Sequence, residues 1–115
     1  MSQPIQATAI HHITLTVSDV QRSQAFYEAV LGFHKVAEYG PRAVMVKGAV
    51  TLVLGPPPDP SQAPAGDRFN PNRVGLDHLS FTVESREELE RAQRVLAARG
   101  VEHKYIKDLG PGFGV

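Results

Sequence analysis

Cysteine is absent from the chain, which excludes disulfides, thiolate zinc sites and cysteine nucleophiles together. Metal or proton chemistry therefore falls to carboxylates and to five histidines, His11, His12, His34, His78 and His103. Two of these recur in matching surroundings. His12-Ile13-Thr14-Leu15-Thr16-Val17 and His78-Leu79-Ser80-Phe81-Thr82-Val83 agree in chemical type at every position, 66 residues apart. Neutral imidazole is the commonest protein metal ligand near neutral pH. Two imidazoles with one carboxylate hold a divalent first-row metal and leave positions open for substrate. A lone histidine on a half-polar strand is ordinarily a surface or hydrogen-bonded residue, so the duplication is what singles these two out. If the copies pair about an approximate two-fold axis, His12 and His78 project into one cavity beside Thr14, Thr16, Ser80 and Thr82. Those hydroxyls could orient ligands or bind substrate; equally, they could be ordinary strand residues.

Each copy alternates with a period of two, the pattern of a half-buried strand. Ile13, Leu15 and Val17 share one face; His12, Thr14 and Thr16 share the other. In the second copy Leu79, Phe81 and Val83 oppose His78, Ser80 and Thr82. A helix follows each. Ser18 to Gln21 has capping-box spacing, and the helix runs to about Leu31, with Gly32 as its stop and Val20, Phe26, Tyr27, Val30 and Leu31 for its apolar face. Ser85 to Glu88 opens the second helix, which ends near Arg99 and Gly100. Leu89, Ala92, Val95 and Leu96 form its buried stripe, while Arg86, Glu87, Glu90, Arg91 and Arg94 form a solvated face. Strands are expected at Phe33 to Tyr39, Arg42 to Lys47 and Val50 to Leu54, with turns at Gly40-Pro41 and Gly48-Ala49. The first unit is thus βαβββ. The second starts near Leu76 and supplies a strand, a helix and a strand at about Val101 to Lys107, then a turn from Gly110 entering another strand.

Between the units, residues 55–72 hold six of the nine prolines, a connection rather than an element. It reads either as a semi-extended linker or as a loop folded over a site, in which case Arg68 and Phe69 are the contacts. His11 alternates to the face opposite His12, among Ile13 and Leu15, where it is either buried and hydrogen-bonded or partly exposed at the strand start. His34 and His103 lie early in the second strands of their units and read as non-ligands. Neither G-x-S-x-G nor G-x-x-x-x-G-K-[ST] occurs. The chain has 115 residues, 42% hydrophobic and 21% charged, and 12 basic residues balance 12 acidic ones. This composition fits one small domain, offers no basic excess for nucleic acid, and contains no apolar run for a membrane span. The N-terminus does not read as a signal peptide, and the expected location is cytoplasmic.

The run His12-Ile13-Thr14-Leu15-Thr16-Val17-Ser18-Asp19, followed by Ser23, Phe26-Tyr27 and Leu31-Gly32-Phe33, resembles the vicinal oxygen chelate superfamily of glyoxalases, thiol transferases, bleomycin-resistance proteins and extradiol dioxygenases. Gly75-Leu76-Asp77-His78-Leu79-Ser80-Phe81 resembles the opening of its second module. The resemblance implies an α+β fold of two βαβββ modules whose mixed sheets curl into a cup. Here that means one domain over residues 1–115, with module one at about 9–55, the proline-rich linker at about 55–74, and a partial module two at about 75–115. It implies His12 and His78 as ligands of one divalent ion (Fe, Mn, Ni or Zn). It also implies a carboxylate ligand on a strand that lies beyond Val115.

A metal-dependent lyase, isomerase or dioxygenase acting on vicinal oxygens is the activity this resemblance implies. The alternative is a bleomycin-type binding and resistance protein without catalysis. Thr14, Thr16, Ser80, Thr82, Arg68 and Phe69 are the candidate substrate contacts. The partners expected are a small molecule and a second copy of the chain as a homodimer, with strand exchange as one arrangement because the second module is incomplete.

Overall fold

Alternation in the first unit becomes a sheet because its apolar positions fall in register. In the computed structural model, which describes residues 3–104, 106 and 112–115, β1 (Ile13–Thr16), β2 (His34–Tyr39), β3 (Arg42–Lys47) and β4 (Val50–Gly55) form a mixed sheet ordered β1-β4-β3-β2. β1 runs parallel to β4, pairing Ile13 with Leu52 and Leu15 with Leu54. β4 pairs antiparallel with β3, setting Leu52 beside Met45 and Leu54 beside Ala43. These six residues share one face, and helix α1 (Val20–Leu31) packs over it. Met45, Leu52 and Leu54 are fully buried there, with Ala43 and Phe33 nearly so. Burial of a leucine side chain contributes about 2 kcal/mol.

The N-terminus of α1 differs from the expected capping box by one residue. Asp19, not Ser18, is extended (φ −148°), and its carboxylate accepts from the Arg22 N–H at 3.0 Å. Ser18 accepts instead from the Arg22 guanidinium at 3.0 Å. Of the expected apolar face, Val20, Tyr27, Val30 and Leu31 are half-buried but Phe26 is exposed, its ring edge-on to Tyr27 at 5.4 Å. Tyr27 is in turn edge-on to Phe33 at 5.9 Å, and burial pushes its phenol pKa up.

Gly32 stops the helix with φ +73°, a left-handed conformation, and donates its N–H to the Glu28 carbonyl at 3.1 Å. The Lys47 ammonium, from the end of β3, closes the Leu31 carbonyl at 2.6 Å and sits over Gly32. A cation at this end also complements the helix dipole. Gly32→Ala should therefore cost about 1–2 kcal/mol, the left-handed penalty for a side chain. Its Cβ would also press on Lys47 Nζ at 3.2 Å. A urea titration would measure the loss, and an unchanged midpoint would contradict it.

β2 pairs antiparallel with β3, but the register shifts between Lys35 and Ala37, leaving Val36 bulged and exposed. The bulge places Lys35 and Glu38 on the same, helix-covered side. There they form an ion pair. By its hydrogen bond first and its charge second, Lys35 holds the Glu38 carboxyl below the usual range.

The proline-rich segment is not wholly irregular. Pro60–Gln62 makes one 3-10 turn. The capping Asp59 carboxylate accepts from the Ser61 hydroxyl at 2.6 Å, the Ser61 N–H at 3.1 Å and the Gln62 amide at 3.1 Å. These donors, the Ser61 hydroxyl foremost, lower the Asp59 pKa. A depressed carboxylate supports the turn above its unfolded value of about 3.9 and stops doing so as pH falls through the lower folded value. Ser61 amide protection should accordingly be flat from pH 7 to 5 and fall in stronger acid; protection lost already at pH 6 would contradict this.

The chain divides into two compact units, residues 1–65 and 66–115, so the boundary falls inside the expected linker. In the second unit, Leu79, Phe81 and Val83 are half-buried while His78, Ser80 and Thr82 are exposed, the expected alternation. The strand itself is shorter than expected: β5 is only Thr82–Val83, paired antiparallel with β6 (Phe113–Gly114). Phe81 and Val115 exchange two further backbone bonds, at 2.6 and 2.7 Å. This pairing is not the parallel β1–β4 pairing of the first unit, so the sheets of the two units are not copies. Helix α2 (Arg86–Ala98) starts where expected, with Ser85 accepting from the Glu88 N–H at 3.1 Å. Its stripe of Leu89, Ala92, Val95 and Leu96 is half-buried rather than buried. The opposite face is solvated, with Arg86 paired to Glu90 at 3.5 Å and Arg91 to Glu88 at 2.6 Å. No strand covers residues 101–104 or 106, where one was expected; Tyr105 and Lys107 lie outside the described residues, as do Gly110 and Pro111 of the closing turn. None of the described residues of 66–115 is buried, so the packed core belongs to the first unit.

Candidate functional site

α1 covers one face of the first unit's sheet, and the predicted site residues of that unit are on the other. Thr14 and Thr16 are exposed on β1, beside half-buried Thr51 and Val53 of β4 and Val44 and Val46 of β3. Thr16 is level with Gly55, where the Arg42 side chain lies so close that a Cβ would meet its Cγ at 2.9 Å. His12 immediately precedes β1 and is exposed. His34 opens β2, which β4 and β3 separate from β1, so it stands three strand spacings, about 14 Å, from the start of β1.

Of the two placements expected for His11, the structure shows the exposed one at the strand start. The strand begins only at Ile13, and in the irregular backbone before it His11 is exposed rather than packed among Ile13 and Leu15. Its Nδ1 lies 2.9 Å from His12 Nδ1, with the rings edge to face at 5.2 Å between centroids.

In the second unit His78 is exposed, ahead of β5, with its Nδ1 2.8 Å from Asp77 Oδ1. Ser80 is exposed, and its Oγ lies over Gly114; Thr82 is exposed and level with the same glycine. Arg68 and Phe69 are exposed in the connection, and the Arg68 guanidinium reaches only the neighbouring Asp67 carbonyl at 3.2 Å. Asp67 itself pairs with Arg73 at 3.1 Å. His103 Nδ1 meets the Val101 carbonyl at 3.0 Å, which occupies that nitrogen in local structure.

The donor chemistry of the two repeated histidines suits a divalent ion. Each ring has Nδ1 engaged by the residue before it, so Nε2 is the nitrogen presented outward. Among the described residues no three His, Asp or Glu side chains converge closely enough to hold a metal. The imidazoles therefore fit the role, while a complete ligand set is not among those residues. Sequence reasoning missed Asp77 and His11 as partners of the two rings, though both stand one step before the repeat at the same spacing of 66.

A cleft of about 580 Å³ opens on the helix side of the first unit, between Gln21, Gln24 and Glu28 of α1 and Lys35 and Glu38 of β2. It is lined by none of the predicted site residues, and the sheet separates it from Thr14 and Thr16.

The family model for the Glyoxalase/Bleomycin resistance protein/Dioxygenase superfamily matches residues 9–112. The chain belongs to this superfamily. The uncharacterized protein YwkD of Bacillus subtilis (strain 168) is 33% identical over 106 residues, covering 86% of this chain and 77% of that protein. A glyoxylase/bleomycin resistance protein/dioxygenase domain from Frankia sp. EAN1pec superposes with TM-score 0.65 at 27% identity, over 83% of this chain and 71% of that one. The fosfomycin resistance protein FosX of Listeria monocytogenes, in a crystal with Mn(II) and sulfate, shares the fold at 18% identity with TM-score 0.67, over 90% of this chain and 73% of that one. A metalloenzyme or resistance-type role follows from the superfamily. Fold alone does not choose a reaction.

Proposed function

We propose that this chain acts on a small molecule bearing adjacent oxygens, using a divalent metal ion for which His12 and His78 supply imidazole ligands. The observation that carries the reading is the matched presentation of the two rings: each heads an alternating stripe of exposed hydroxyl residues, and each has Nδ1 engaged from the preceding residue. FosX, a member of the same fold, is itself seen with Mn(II). When bound, such an ion polarises the oxygens it contacts. Around it, His12 and His78 would bind through Nε2, and the hydroxyls of Thr14, Thr16, Ser80 and Thr82 would donate to or accept from substrate oxygens. Arg68 adds a fixed cation suited to an anionic substituent, and exposed Phe69 adds an apolar surface.

Equilibrium dialysis of the protein against Mn(II), Fe(II), Ni(II) and Zn(II) should leave one tightly held ion per chain by elemental analysis. Retention of none of the four would overturn the metal reading and favour binding of a small molecule without catalysis.

A further inference from the structure

The residue before each repeated histidine does something the repeat itself does not require. On a regular strand, neighbouring side chains point to opposite faces and do not meet. Here both histidines stand ahead of their strands, at residues 12 and 78 before Ile13 and Thr82, in backbone that lets consecutive side chains touch. In both units the contact is made at Nδ1, 2.9 Å to His11 Nδ1 and 2.8 Å to Asp77 Oδ1.

We propose that Asp77 is a positioning residue that fixes the tautomer of His78, and that His11 plays the weaker counterpart role for His12. Resting on the reading of His78 as a ligand, this assigns the nitrogen used and the residue that sets it. An ionised carboxylate only accepts hydrogen bonds. The neutral His78 ring must therefore carry its proton on Nδ1 to make this contact, and Nε2 keeps its lone pair for a ligand. Orientation by a carboxylate also makes the ring a better donor. The His11–His12 contact lacks that one-way character, since either imidazole can donate and the other accept. Asp77 thus determines its partner's tautomer, whereas His11 shares a proton with its own. The two modules present rings of unequal donor strength, with His78 the stronger. His78 and Asp77 side chains are 79% and 70% exposed, so water competes for the contact and the effect belongs at the lower end of its range.

Long-range proton–nitrogen NMR of the full chain reads the tautomer directly, with the ring neutral and no metal added. The wild type should show His78 protonated mainly on Nδ1. Asp77→Ala should move the population toward protonation on Nε2, and Asp77→Asn, which keeps an acceptor oxygen, should retain more of the wild-type state than Ala does. Zinc ion alone, titrated into the same samples, should bind about tenfold more weakly to Asp77→Ala, at the low end of the roughly 10–100-fold cost of losing an outer partner. An identical His78 tautomer distribution in wild type and Asp77→Ala would overturn the proposal. A tautomer that shifts while zinc affinity does not would uphold the positioning role and instead remove His78 from the ligand set.

Discussion

Leu52→Ala should destabilise the protein by about 3 kcal/mol, within the roughly 2–5 kcal/mol that buried leucine truncations cost. Leu52 is fully buried on β4 and is flanked in register by Ile13 and Met45, so truncation opens a cavity where strands on both sides are fixed by pairing. The loss is large because, among the described residues, the fully packed ones are few and all in the first unit. For a domain of this size it corresponds to a fall of roughly 12–24 °C in melting temperature. Val36→Ala is the matched control. Val36 is bulged and 55% exposed, so its truncation should stay within about 0.5 kcal/mol of wild type. Equal losses for the two variants in guanidinium titrations would mean that the β1–β4–β3 core does not carry the stability.

His12→Ala and His78→Ala should each abolish tight divalent-metal binding. The expected loss exceeds the roughly 10–100-fold that removal of an outer partner costs, because a donor bonded to the ion itself disappears. Stability should hardly move, by at most about 0.5 kcal/mol, since both side chains are exposed and neither packs in the core. Affinity and stability therefore separate cleanly: calorimetric titration with Zn(II) reports the first, thermal melting the second. His34→Ala, at the far edge of the sheet, should leave zinc affinity unchanged. Wild-type affinity in both the His12 and His78 variants would contradict the assignment.

Much of the first unit was legible because its strongest signals are local. Alternation in Ile13 to Thr16 produced a strand with the expected face, strands formed where expected at Arg42 to Lys47 and Val50 to Leu54, and Gly40-Pro41 and Gly48-Ala49 produced the turns between them. Gly32 and Ser85 likewise marked a helix end and a helix start. Less legible was anything set by pairing. The bulge at Val36 leaves no mark in the run Phe33 to Tyr39, yet it decides that Lys35 and Glu38 share a side. Leu79 to Val83 alternates in exposure as its sequence says, but strand length depends on a distant partner, and only Thr82 and Val83 find one in β6. At α1 both Ser18 and Asp19 are good capping types, and the extended backbone at Asp19 chose between them.

At the candidate site, histidine types and their spacing singled out His12 and His78, and the hydroxyl residues of both stripes are exposed, as their alternation predicts. The roles of His11 and Asp77 as partners of the rings were not foreseen because the two differ in type, although each makes the same kind of contact with the ring beside it.

The most direct measurement is a zinc titration of nitrogen-labelled protein, followed at the histidine ring nitrogens. One equivalent of zinc should shift Nε2 of His12 and His78 together and leave His34 and His103 where they were. Saturation of the protein with zinc while the rings of residues 12 and 78 keep their metal-free signals would contradict the account.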